Sequence, residues 1–330
     1  MAVLVEATNF SGRFVALNGT ASLNVTRRDI IRSLLTVGYP SRKAAIDFVG
    51  PWRAKMLAAM AKGYLDNSLN TTSYFRNLEQ SEKVGASFLF GEAFTHWYAQ
   101  DRMSIEFLVH VAGLKTCRWM SSSQPVVPKA GAASPASKSR PDFIGIRRQE
   151  RHVFESKGRI RSPAASTVAK ALGQVSVLQT INGSAPTTRC ACFFMLKSKG
   201  TEGKVVDPPG GTIGLSVKFD QRDALAKAYS FFLDRPTVSL SDQIGEGYVG
   251  HEIEEGLFFG IDKHVLAAIA ERPPTEADRW RRVVEVFDIL AARAQVYESR
   301  RGFDTSSGRD GTLLVDRREP RSRRIRFPSS

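Results

Sequence analysis

The stretch RPDFIGIRRQERHVFESKGR, residues 140 to 159, holds the side chains best able to do chemistry. It reads as two strands, PDFIGIR and RHVFESKG, joined by a polar turn near Arg148, Gln149 and Glu150. A two-residue turn at Arg148-Gln149 sets Arg147 against Glu150 and Asp142 against Glu155. A turn at Gln149-Glu150 sets Asp142 against Lys157 instead. Strand side chains alternate with period two, so either register gathers Asp142, Glu155 and Lys157 on one face, with Phe154 and Ser156 pointing away. Two facing carboxylates repel, and one tends to keep a proton. A divalent cation resolves that conflict. Hard carboxylate oxygens suit Mg²⁺, or Mn²⁺ in its place, with waters and phosphate oxygens completing the coordination. Such an ion lowers the pKa of water and neutralises charge growing on a phosphate. Lys157 reaches the same space, where it is expected to orient the attacking water and offset transition-state charge.

The elements that must hold these residues are legible in part. A helix is predicted between about Leu78 and Gln100, with Val84, Phe88, Leu89, Ala93, Phe94 and Trp97 on an apolar face. IEFLVHVAGL, residues 105 to 114, reads as a strand. Residues 121 to 139 are rich in Ser, Ala and Pro and read as a flexible loop. After the hairpin, a helix is predicted from about Pro163 to Ile181, with Gly183 just past its end. TTRCACFFMLK and TIGLSVKFD read as strands, and DALAKAYSFFLD as an amphipathic helix. Upstream, TRRDIIRSLLTVG places Ile30, Ile31, Leu34 and Leu35 on one helix face behind a Thr26 cap, and Pro51 stands where the next helix can begin, with Gly63 near its end. Three regions follow: a mostly helical amino-terminal accessory region over 1–77, a core over 78–235, and a carboxy-terminal region over 236–330 that includes a helix near 275 to 298 and ends in an arginine-rich tail.

Pro141-Asp142 and Glu155-Ser156-Lys157 resemble the two halves of the motif that names the PD-(D/E)XK nuclease superfamily. The order helix–strand–strand–strand–helix–strand resembles that superfamily's core, over roughly residues 78 to 200. The resemblance implies an α/β fold with a restriction-endonuclease-like αβββαβ core and helical flanks. It implies a Mg²⁺-dependent deoxyribonuclease, more an endonuclease than an exonuclease, serving in restriction, phage defence or repair. Asp142 and Glu155 would bind the metal and Lys157 would assist the water; Glu92, within GEAFTHWYAQ, matches the helix-borne acid that many members add to the metal site. The QxxxY pattern of some branches is absent, since Gln174 is followed by Leu178 and Gln179 by Gly183. That argues against the RecB-like branch, not against the superfamily.

Further residues fit a polyanionic partner. Arg147, Arg148, Arg159 and Arg161 surround the motif and are expected to hold a nucleic-acid backbone, with Lys170 and Gln174 one helical turn apart on the following helix. The tail RREPRSRRIR, residues 317 to 326, is expected to touch phosphates. The formal net charge of +14 points the same way, towards DNA. His96 lies one turn from Glu92, His152 falls on the Phe154 face, and His251 and His264 lack partners at metal spacing. Cys190 and Cys192 alternate on an apolar strand and, with Cys117, are expected to be reduced thiols. The amino terminus does not read as a signal peptide and no apolar run is long enough to span a bilayer, so a cytoplasmic protein with no membrane partner is expected. A homodimer or larger complex is compatible with the chain. The competing reading is a non-catalytic nucleic-acid-binding or scaffold protein with a nuclease-like fold, against which the complete Asp–Glu–Lys set argues.

Overall fold

The computed structural model describes residues 2–37, 43–111, 114–121, 140–210, 214–302 and 304–318; for 43–50 and 243–244 it describes the backbone alone. Among these residues the central element is a mixed sheet. It comprises β1 (Ala2–Thr8), β2 (Gly19–Asn24), β3 (Phe107–Val109), β5 (Phe143–Arg147), β6 (Glu150–Arg159), β8 (Thr188–Met195) and β9 (Glu202–Val206), in the order β2-β1-β9-β8-β6-β5-β3. A small sheet joins β4 (Arg118–Ser121), β10 (Leu215–Lys218) and β7 (Leu178–Ile181) in that order. A third, antiparallel sheet runs β11 (Val238–Ser239), β12 (Tyr248–Glu254), β13 (Leu257–Asp262), β15 (Thr312–Asp316) and β14 (Thr305–Ser307). The helices are α1 (Arg27–Val37), α2 (Lys43–Tyr64), α3 (Ser73–Arg76), α4 (Gln80–Arg102), α5 (Ala165–Ser176), α6 (Gln221–Ala228), α7 (Ser230–Leu233), α8 (Ser241–Ile244), α9 (Lys263–Ala270), α10 (Glu276–Ala292) and α11 (Ala294–Ser299). The chain is thus a mixed α/β protein with helices flanking a multi-stranded mixed sheet.

Side-chain pattern explains which faces are covered. In β1, Val3, Val5 and Ala7 are buried while the residues between them are exposed, as expected of a strand covered on one face. β8 is buried almost throughout, and its run of Cys, Ala and Phe suits a central strand. β6 and β8 are parallel, and α5 is the crossover between them. Phe94 of α4 stacks on Phe194 of β8 with ring centroids 5.2 Å apart, seating α4 on the sheet. Along the chain, α4, β3, β5, β6, α5 and β8 come in the predicted order, with β4 and β7 inserted between them as parts of the small sheet.

Several expectations are corrected. The predicted helix to Ile181 stops at Ser176, because Leu178–Ile181 pair with β10 instead. Asn182 and Gly183, with φ of 51° and 88°, then make the turn. α2 begins at Lys43 and carries Pro51 inside it rather than at its start. Val84 and Phe88 on α4 are exposed, whereas Phe90, Ala93, Phe94 and Trp97 are buried. The segment expected as one helix over 223 to 234 breaks at Tyr229 into α6 and α7. The strand predicted over 105 to 114 is only three residues long. α1 forms as predicted, with Ile30, Ile31, Leu34 and Leu35 buried and Thr26 Oγ1 accepting from Asp29 N–H. The expected flexible loop lies, from residue 122 to 139, outside the described residues.

The three sheets share one apolar core. β1 pairs in parallel with β9, so residues from the first region extend the central sheet. The carboxy-terminal sheet is fastened to α1 by the buried Arg32, which donates to Ser306, Gln100 and Thr312 and faces Asp310 at 3.8 Å.

Candidate active site

The hairpin register is the first of the two alternatives. Phe143 pairs with Phe154 and Arg147 with Glu150, leaving a two-residue turn at Arg148-Gln149, with Arg148 at φ 42°. One rung beyond Phe143 and Phe154, Asp142 therefore lies opposite Glu155. The ladder ends there by side-chain substitution. Ser156 N–H donates to Asp142 Oδ2 at 2.8 Å, and Asp142 N–H donates to Glu155 Oε2 at 3.2 Å. Pro141, which has no N–H to contribute, sits just before this point. Each carboxyl thus accepts from a backbone N–H of the other's strand, and both are held in place.

Lys157 follows Glu155 by two residues on the same face, and its Nζ donates to Glu155 Oε1. Burial pushes the Asp142 carboxyl above its usual range, although Ser156 N–H and the Lys157 charge pull it back. Burial and then the Asp142 charge push Glu155 up to about 7, against the opposing pull of Lys157. The half-buried Asp142 and the buried Glu155 share one ammonium, which leaves the pair short of positive charge.

Glu92 approaches from α4 and is brought close by an absence of side chains. A Cβ on Gly91 would overlap the backbone of Gly158, and a Cβ on Gly158 would overlap the carbonyl of Ser87. Helix and strand therefore meet backbone to backbone beside the site. Glu92 is 5 % exposed, and burial followed by the Asp142 charge raises its carboxyl to about 8. Its Oε1 lies 4.0 Å from His110 Nε2. His110 was not singled out in the sequence, yet its Nδ1 is 3.1 Å from the carbonyl of Asp142 and its Nε2 3.4 Å from that of Val37. Burial lowers the imidazole to about 4, so near neutrality the ring has one N–H to donate, and the shorter contact favours the Asp142 carbonyl. A lone histidine in the apolar run IEFLVHVAGL was the one available signal.

Among the described residues, no group of three or more His, Cys, Asp or Glu is arranged to hold a metal ion. The site offers a pair, Asp142 and Glu155, with Glu92 behind it. A pair suits Mg²⁺, which is usually bound through one or two carboxylates together with waters and substrate phosphates. The raised, mutually opposed carboxyls are the feature a divalent cation would relieve.

The flanking cations are less well gathered. Arg147 and Arg148 sit at the hairpin tip, five rungs from Asp142 or about 17 Å at the usual rise, where they pair with Glu150 and Asp288. They do not surround the acids. Arg159, the last residue of β6, and Arg161 just beyond it are exposed, at the Lys157 end of the strand. Gln174 reaches the entrance to β5, its Nε2 being 3.4 Å from Arg140 O, while Lys170 is exposed on α5. His96 is buried and bonds Ser33 through Nδ1; His152 bonds Thr188. The three cysteines are free thiols. Arg317 is exposed and its N–H donates to the Gly256 carbonyl, Arg318 is engaged by Asp316 and Glu254, and the arginine-rich tail from residue 319 onward lies outside the described residues. No helix of the described residues is long and apolar enough to cross a membrane. No protein-family model, curated protein or solved structure matches this chain.

Proposed function

We propose that the chain is a Mg²⁺-dependent phosphodiesterase that hydrolyses DNA, with a PD-(D/E)XK-like site formed by Asp142, Glu155 and Lys157. The observation that carries the reading is the register that sets Asp142 opposite Glu155 with the Lys157 ammonium on the same acid. The order of α4, β3, β5, β6, α5 and β8 also supports it. Asp142 and Glu155 would hold Mg²⁺, with Glu92 close enough to feel the Asp142 charge but not grouped with the pair as a third ligand. A bound Mg²⁺ would supply Lewis acidity and a counter-charge for the phosphate. The chain's own part is positional and electrostatic. The Ser156 and Asp142 N–H groups fix the two carboxyls, and Glu155 holds the Lys157 ammonium where a phosphate would approach. Released from Glu155, that ammonium donates to the attacking water or to a non-bridging phosphate oxygen as negative charge grows there.

The test is incubation with supercoiled plasmid, linear duplex and single strand in Mg²⁺ or EDTA. Mg²⁺-dependent cleavage should fall by at least about 10²-fold in Asp142→Ala and Glu155→Ala, the scale of losing one key electrostatic group. Wild-type rates in both variants, or no Mg²⁺-dependent cleavage of any substrate, would sink the reading.

A further inference from the structure

A groove of about 770 Å³ lies away from the acid pair, between the small sheet, the hairpin tip and the starts of α6 and α10. Its wall includes Arg118, Arg151, Lys218, Arg222 and Arg279 against two carboxylates, Asp220 and Glu276. Three features mark it as more than a solvated basic surface. Arg151 is only 5 % exposed, yet all its hydrogen bonds go to neutral acceptors: the carbonyls of Arg148 and Glu150, and Gln221 Oε1. Among the described residues it has no ion-pair partner, unlike the equally buried Arg32 with Asp310. A buried cation without a counter-ion is costly, and an anionic ligand removes that penalty. Arg118 and Lys218 are direct cross-strand partners, and neither has an acidic partner among the described residues. Like charges placed opposite each other are destabilising unless an anion bridges them. Trp280, 41 % exposed on α10, supplies a flat apolar face in the same groove. Asp220 is already taken up by Arg279.

We propose that this groove seats a single nucleic-acid strand, with phosphates against Arg151, Arg118 and Lys218 and a base stacked on Trp280. A cationic track interleaved with an aromatic platform is the chemistry that binds single strands without reading sequence. The assignment rests on the nucleic-acid reading above and extends it. β6 carries both Arg151 and Glu155 on one face, four residues or about 13 Å apart, so one strand of the protein links groove and acid pair.

The test is fluorescence anisotropy of a labelled oligothymidylate in EDTA, where binding is read without cleavage. The Arg118→Glu/Lys218→Glu double variant alters exposed residues and should weaken binding at least tenfold. It should also reduce the slope of log affinity against log salt by about 1.4, from two phosphate contacts at roughly 0.7 each on a single strand. Trp280→Ala should weaken binding about tenfold, within the stacking range of about 1–3 kcal/mol per base. Unchanged affinity and salt slope in the double variant would overturn the proposal. So would thymidine monophosphate competing as well as the oligomer, which would make the groove a mononucleotide pocket. Plasmid cleavage in Mg²⁺ keeps the two ideas apart. Groove-dependent binding without any cleavage would refute the nuclease reading alone, and cleavage with binding indifferent to the groove variants would refute the groove alone.

Discussion

Gly91 of α4 and Gly158 of β6 meet backbone to backbone, and this contact carries Glu92 to within reach of the Asp142 charge. No side chain fits at either position without moving the helix off the strand. Gly91→Ala and Gly158→Ala should each destabilise the fold by about 1–3 kcal/mol or more, the usual scale of overpacking. Gly173, interior to α5 with nothing within 4 Å of its added Cβ, is the control. Gly173→Ala should stabilise by up to about 1 kcal/mol. Urea unfolding midpoints check both, and equal effects at Gly158 and Gly173 would contradict the packing account.

Lys157 supplies the counter-charge nearest to Glu155, and in the proposed mechanism it acts on the water and phosphate rather than on the metal. Lys157→Ala should therefore abolish most cleavage while leaving Mn²⁺ affinity, read by calorimetry, close to wild type. A rate equal to wild type would return the lysine to a structural ion pair. Lost metal binding would instead show that the ammonium organises the two acids.

Arg32 and Asp310 form the buried polar link between α1 and the carboxy-terminal sheet. Asp310 also accepts from Tyr229 at 2.8 Å. Removing one member of a buried pair strands the other charge, so Asp310→Ala should lower stability by about 3–5 kcal/mol. The exposed pair Arg148–Asp288 gives the contrast, since Asp288→Ala should change stability by no more than about 1 kcal/mol. Similar losses at both sites would mean that Arg32 is compensated by its hydroxyl and amide partners alone.

The site was legible where local pattern decides it. Period-two alternation was enough to gather Asp142, Glu155 and Lys157 on one face and to turn Phe154 and Ser156 away, but two turn registers fitted the sequence and only the folded hairpin sets Asp142 opposite Glu155. The apolar spacing of α1 and the run of β8 were equally local. What escaped depends on partners distant in sequence. Nothing in the helix-like run ending at Ile181 announces that β10, some thirty-five residues later, will draw Leu178–Ile181 into a strand. His110 gains its place only because Asp142, Val37 and Glu92 converge on it. Gly91 and Gly158 look like ordinary punctuation until helix and strand are set face to face. Arg147 and Arg148 were near the acids in sequence but are held away from them, because a hairpin tip is the farthest point from its open end.

The buried acids also set a dependence on pH that can be read without a substrate. Burial and the Asp142 charge raise the Glu92 carboxyl from an ordinary 4.5 to about 8, and Glu155 rises to about 7 for the same two reasons. A carboxyl with a higher pKa in the folded state binds its proton more tightly there than in the unfolded chain. Between about pH 4.5 and 8 the unfolded chain has released the proton while the folded one retains it, so stability must fall as pH rises across that window. In EDTA, then, these two acids contribute most favourably below about pH 4.5, and their contribution is lost by about pH 8. Glu92→Gln removes one titrating group without removing its volume. The stability of the glutamine variant should gain on wild type steadily through the window and hold a constant lead above it. Saturating Mg²⁺ should flatten the Glu155 part of the wild-type slope, because the ion favours the charged form. Urea unfolding at several pH values, with and without Mg²⁺, measures all of this. A wild-type-to-variant difference that does not change with pH would show that Glu92 titrates normally in the folded protein, and that the site is more open to water than its geometry indicates.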